Sequence, residues 1–178
     1  MKQNIHKSKR ALTMLCLLTM IITIIVGCGK KNEDFQHLNS LVQNLFTNID
    51  ESEYNEFNNV KDKSVDFFSD SSKVPEWIQI RFRDNMTEEG YKVFIETAMY
   101  NIPIIGYENN KNLKLENFKI KPSDKNYDFS GKLVVFSEEE QLEKSEITIT
   151  GSAQTNEEGK VSYINVFNMD EIIEALNL

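Results

Sequence analysis

The hydrophobic period of this chain changes once, at Asn109-Asn110-Lys111-Asn112, and that change limits the fold more than any other feature. Before it, apolar residues recur every three or four positions, as on one face of a helix. After it they alternate, as on one face of a half-buried strand. A chain patterned this way belongs to the α+β class: helices first, then a curved antiparallel sheet of about four strands on which the helices pack.

The helical half divides at its capping signals. Phe35, Leu38, Val42, Leu45 and Ile49 form one apolar stripe. Asp50-Glu51-Ser52-Glu53 has capping-box spacing and opens a second helix with Tyr54, Phe57 and Val60 inward, fraying near Ser69–Ser72. Pro75 suits the first position of a short third helix, Glu76–Asn85, with Trp77, Ile80 and Phe82 inward. Thr87 caps a fourth, carrying Tyr91, Phe94, Ile95 and Ala98, which Pro103 is expected to stop.

In the second half, Leu113–Lys121 is a strand whose phase slips between Leu115 and Phe118, the mark of a bulge. Pro122–Asn126 is expected as a turn. Tyr127, Phe129, Gly131, Leu133 and Val135 alternate along the next strand. Ile147, Ile149, Gly151 and Ala153 do so on the third, with Glu146, Thr148, Thr150 and Ser152 facing water. Asn156-Glu157-Glu158-Gly159 is a hairpin turn. Val161, Tyr163, Asn165 and Phe167 are expected to alternate along the last strand, and Asp170 to cap a final helix, Glu171–Leu178.

Ahead of all this stands a leader. Lys2, Lys7, Lys9 and Arg10 precede Ala11–Gly27, which holds no charge. A basic end joined to such a stretch has the form of a secretory signal peptide, and it directs the C-terminal domain to the outer side of the membrane. Ile25-Val26-Gly27-Cys28 resembles the bacterial lipobox. That resemblance implies cleavage between Gly27 and Cys28 and a diacylglyceryl group on the Cys28 thiol. Each long acyl chain contributes on the order of ten kcal/mol of membrane attachment. The expected organisation is therefore 1–27 as signal peptide, 28–34 as lipidated cysteine and flexible tether, and 35–178 as the domain. Lysine outnumbers arginine 17 to 3, a bias that resembles low-GC Gram-positive genomes.

Beyond residue 27 the chain has 16 basic and 28 acidic side chains. That balance disfavours nucleic acid and anionic headgroups as partners. Cys16 and Cys28 are the only cysteines, so the domain has none for disulfides, thiol chemistry or a zinc-cysteine site. Its one histidine, His37, lies on the polar flank of the first helix without a second imidazole to make a metal site. Glu138-Glu139-Glu140 with Glu143 lacks the spacing of a calcium loop.

From Asp34 to Phe167 the element order resembles the NTF2-like (cystatin-like cone) superfamily. The resemblance rests on the opening helices joined by Asn48-Ile49-Asp50, on Tyr54 and Phe57 after them, on the Thr87-to-Tyr100 helix and on the closing strands. It implies a hollow cone, whose expected lining is Trp77, Tyr91, Tyr127, Phe129 and Tyr163. Isomerases of this superfamily pair an inward carboxylate with a tyrosine or protonated acid; here Asp128 or Glu116 would face Tyr91, Tyr100, Tyr127 or Tyr163. No nucleophile elbow, Gly-rich phosphate loop or zinc-peptidase motif is present. The expectation is a non-enzymatic module without cofactor or metal, held on the outer face of the membrane. It would bind a small apolar ligand or an envelope protein. An accessory subunit of a conjugation or secretion complex and a small-molecule isomerase or hydratase are the alternatives. Val134 and Phe136, of opposite parity to Leu133 and Val135, mark a candidate contact for a partner or a second copy.

Overall fold

The structure, a computed structural model, describes residues 29–61, 73–123, 126–137 and 144–178. The expected leader with Cys16, the Gly27–Cys28 junction, the fraying at Ser69–Ser72 and the acidic connection at 138–143 all lie outside those residues. Helix α1 spans Gly29–Leu45. The segment expected as a flexible tether, 29–34, is thus helical up to the domain. Residues from Asp34 to Leu178 form one compact unit.

Leu38, Leu41, Val42, Leu45 and Phe46 are all buried along α1 and the turn after it. Each such side chain contributes roughly 1.5–3 kcal/mol through its removal from water. Helix α2, Glu51–Lys61, starts with the predicted capping box. The Asp50 N–H donates to Glu53 Oε2 at 3.0 Å and the Glu53 N–H to Asp50 Oδ1 at 2.9 Å. Phe57 is its buried residue.

Helix α3, Glu76–Phe82, runs into a 3-10 turn, Arg83–Asn85. Pro75 occupies the cap and offers no side-chain acceptor. Glu56 of α2 substitutes, its Oε1 accepting the Glu76 N–H at 2.6 Å. The inward residues are Trp77, Ile78 and Phe82, whereas Ile80, expected inside, is 68% exposed. At 100° per residue Ile80 points away from the other three. Arg81 ties three segments together. Its guanidinium donates to both carboxylate oxygens of Glu53 at 2.7 Å and to the backbone oxygens of Thr47 and Asn48 at 3.2 Å. It also lies 5.2 Å from the Trp77 ring centroid. Arg81→Met is expected to lower stability by about 1–2 kcal/mol in urea unfolding, because a half-buried carboxylate and two carbonyls lose a charged donor. Lys132→Met, which removes the exposed ion pairs to Glu116 and Glu146, should leave the urea midpoint nearly unchanged. Equal effects from the two would show that the Arg81 network adds nothing.

Helix α4, Glu88–Glu96, is capped by Thr87, whose hydroxyl accepts the Gly90 N–H. It ends earlier than the sequence implied, at Ala98 with φ 54°. Pro103 stops nothing; it lies in the first turn of helix α5, Asn101–Glu108. A proline there forfeits no helical hydrogen bond, because the first N–H groups of a helix have no internal partner.

The sheet is antiparallel and curved, with order β1-β2-β3-β4. Its strands are β1 (Asn112–Ser123), β2 (Asn126–Phe136), β3 (Lys144–Thr155) and β4 (Val161–Val166). The predicted bulge falls between Glu116 and Lys119, with Asn117 at φ 54°. Pro122, expected in a turn, is paired with Tyr127 inside β1, an edge strand where a missing N–H is tolerated. β3 alternates as expected, with Ile147, Ile149, Gly151 and Ala153 inward. In β4 the expected phase fails. Gln154 pairs with Tyr163 but Thr155 pairs with Val161, so Ser162 is an extra residue that reverses the parity. Val161, Ile164 and Val166 are therefore buried, and Tyr163 and Phe167 face outward. That bulge seats α4: Thr87 N–H donates to the Val161 carbonyl at 2.9 Å, and a Cβ on Gly90 would lie 2.8 Å from the Val161 and Ser162 oxygens. Helix α6 spans Met169–Asn177. Asn168, rather than Asp170, precedes it, and the Asn168 side chain joins Glu171 to the backbone of Thr148 and Thr150.

Candidate functional site

The five expected lining residues do not converge. Trp77 and Phe129 are buried and Tyr91 is fully so. Tyr127 is half-buried, edge-on to Phe35 at 5.3 Å. Tyr163, corrected by the Ser162 bulge, is 46% exposed on the other face of the sheet. Phe129 packs over Gly151 and lies 6.0 Å from the Phe118 ring. These aromatic residues belong to the packed core, apart from Tyr163.

The expected acid partners also lie elsewhere. Asp128 is exposed on the face of β2 opposite Phe129. Glu116 accepts from Lys114 at 2.8 Å and Lys132 at 3.2 Å. The hydrogen bond from Lys114, then that from Lys132, holds its carboxyl below the usual carboxylate range. Lys132 also reaches Glu146 at 3.0 Å. This ladder crosses the outer face beside Val134, which is buried despite its outward parity, with Lys114 and Glu146 as its register neighbours. His37, expected on the polar flank of the first helix, is half-buried, with its Nδ1 3.2 Å from Asn85 Oδ1. Among the described residues no three acidic, histidine or cysteine side chains are grouped to hold a metal, and no helix is long and apolar enough to cross a membrane.

A cleft of about 340 Å³ opens where the helical half meets the start of the sheet. Its walls are Asn48 and Ile49 from the α1–α2 turn, Pro103 and Tyr107 from α5, Asn110, Lys111 and Asn112 leading into β1, and Ser137 after β2. Three observations explain why these distant residues meet. The Leu113 N–H, at the edge of β1, donates to Asn48 Oδ1 at 2.8 Å, and Asn48 Nδ2 donates to Asn112 Oδ1 at 2.9 Å. The end of α5 closes on itself: Asn109, Asn110 and Lys111 N–H groups satisfy the carbonyls of Ile105, Tyr107 and Gly106. Tyr107 stacks on Tyr54 of α2 at 4.6 Å, and the Tyr54 hydroxyl donates to Glu108 at 3.2 Å.

Lys111 is the only charged residue among the eight. The cleft therefore presents amides, a hydroxyl, a phenol and an ammonium beside the apolar surfaces of Ile49 and Pro103. Its volume falls in the range that holds small ligands. A second groove, of about 320 Å³, lies between the start of β3 and α6 and is lined by Ser145, Glu146, Ile147, Glu171, Glu174, Ala175 and Leu178. In the sequence the cleft shows only as Asn48-Ile49-Asp50 and Asn109-Asn110-Lys111-Asn112, two segments that carry turn signals. No family model, curated protein or solved structure matches the chain.

Proposed function

We propose that this chain is an extracytoplasmic lipoprotein whose domain acts as a non-catalytic binding module, tethered through Cys28 to the outer face of the membrane. The observation that carries the binding role is the cleft between Asn48 and Lys111. Among the described residues its walls supply hydrogen bonds and one positive charge but no carboxylate, imidazole or thiol. Such a set suits holding a ligand better than moving protons. The lipobox-like Ile25-Val26-Gly27-Cys28 behind a charge-free stretch supports the anchor. Helices that precede a four-stranded curved meander support an NTF2-like domain.

The anchor is tested in a low-GC Gram-positive host fed labelled palmitate. The expected result is label in the membrane fraction and a mass equal to residues 28–178 plus lipid. Cys28→Ser is expected to lose the label entirely. An unlipidated product retaining Met1 would overturn the anchoring.

A further inference from the structure

The hydrogen-bond pattern around the cleft narrows what it can hold. A backbone N–H only donates, so the bond from Leu113 fixes which end of the Asn48 amide is oxygen. The Asn48 nitrogen must then donate, which in turn fixes the Asn112 oxygen as acceptor. In this relay each of the two amide oxygens already accepts one hydrogen bond from within the protein. The donors it leaves unused outnumber them: the second N–H of Asn48, the Asn112 amide nitrogen and the Lys111 ammonium. The last carbonyls of α5, which would otherwise offer acceptors beside the cleft, are taken by the N–H groups of residues 109 to 111. Among the described residues Lys111 makes no ion pair. A donor-rich cleft with one cation and, among the described residues, no acid in its walls is complementary to an acceptor-rich monoanion.

The geometry points to a small carboxylate that also carries an amide, the class of N-acyl amino acids and short peptides with a free carboxyl end. Lys111 takes the carboxylate, the Asn48 and Asn112 nitrogens take carbonyl oxygens, and Ile49 with Pro103 meets an apolar side group. This inference rests on the binding-module reading and gives that module a ligand class.

The test uses the full-length protein in detergent micelles, labelled with nitrogen-15. N-acetyl-alanine, N-acetyl-leucine and N-acetyl-alanyl-alanine are titrated alongside the N-methylamide of each. The acids are expected to shift the side-chain amide signals of Asn48, Asn110 and Asn112. The methylamides, which lack the charge, should bind at least about tenfold more weakly. Lys111→Gln should bring the acids down to the methylamide level, and Lys119→Gln should change nothing. The Leu113 amide signal checks that the relay survives in each variant. Equal binding of acids and methylamides in the cleft would overturn the carboxylate assignment and leave the binding module standing. Shifts confined to signals elsewhere, or none at millimolar acid, would remove the assignment as well.

Discussion

Gly151→Ala is expected to destabilise the domain by about 3 kcal/mol, read as a lower urea midpoint with an unchanged slope. Gly151 sits in the middle of β3, paired with Phe129 on one side and Val166 on the other. The Phe129 ring lies over it in the space that a side chain would fill. An added methyl would stand 2.6 Å from Phe129 Cε2, closer still to Cζ, and against the backbone oxygen of Asn165. The ring has little freedom to retreat, being buried and packed beside Phe118. The backbone oxygen belongs to a paired strand and moves only if β4 moves.

Gly131 supplies the comparison. It is also buried in mid-strand, but a Cβ there would meet Leu115 Cδ1 at 2.9 Å, the end of a flexible side chain. Gly131→Ala should cost less than about 1 kcal/mol. Gly151→Ala with Phe129→Leu should recover part of the loss, a non-additivity that only contacting sites show. Equal effects at the two glycines would mean that the Phe129 ring does not hold β3 as described.

Several elements were legible because their cause is local. The capping box at Asp50–Glu53, the Thr87 cap, the Asn156–Gly159 turn and the alternation of β3 each arise from residues within one turn or one strand. The bulge in β1 was legible for the same reason, since Leu115 and Phe118 cannot share a face of a regular strand. What stayed hidden was set by distant partners. The parity of β4 reverses at Ser162, where the edge strand receives Thr87 and Gly90 from α4, and residues 161 to 167 alone do not reveal it. In the seven residues of α3, Ile78 and Ile80 are equally apolar. The helical angle to Phe82 favours Ile78, but so short a helix shows that angle only once its inward face is known. Pro103 carries a stop signal and a start signal in one residue, and the turn at Ala98 decides between them.

The cleft was hidden for a related reason. Asn48 and Asn112 are ordinary turn residues until the start of β1 is placed beside the α1–α2 turn. They then become a relay in which each amide oxygen is already bonded and amide N–H groups are left over. The expected lining aromatics erred the other way. Tyr91, Phe129 and Trp77 have the size of ligand contacts, and Tyr91 and Trp77 the polar tips, but their burial is that of core. Aromatic residues fill either role, and their side-chain chemistry does not distinguish the two.

Tyr91→Phe is expected to raise stability by about 1 kcal/mol at neutral pH and to remove most of the stability lost in alkali. The Tyr91 side chain is fully buried, and its hydroxyl has no hydrogen-bond partner among the described residues. Folding strips that hydroxyl of water without replacing it, a cost of about 1–3 kcal/mol that phenylalanine avoids at nearly constant volume. The Arg83 guanidinium, 5.8 Å from the ring centroid, would stay over a phenyl ring. Burial pushes the Tyr91 phenol from 10.0 up to about 12; Arg83 opposes the rise and Glu88 and Tyr100 add to it. Below pH 10 both folded and unfolded chains keep the proton, and stability is intact. From there to about pH 12 the unfolded chain ionises first, so stability falls as pH rises, by about 2–3 kcal/mol across the interval. Phenylalanine cannot ionise, so the variant should keep that stability. A shallower slope should remain from Tyr100, whose pKa burial also raises. Urea unfolding at neutral pH and near pH 11 measures both effects. A variant weaker than the parent at neutral pH would show that the hydroxyl has a partner in solution, and an unchanged alkaline slope would show that its proton is not held by burial.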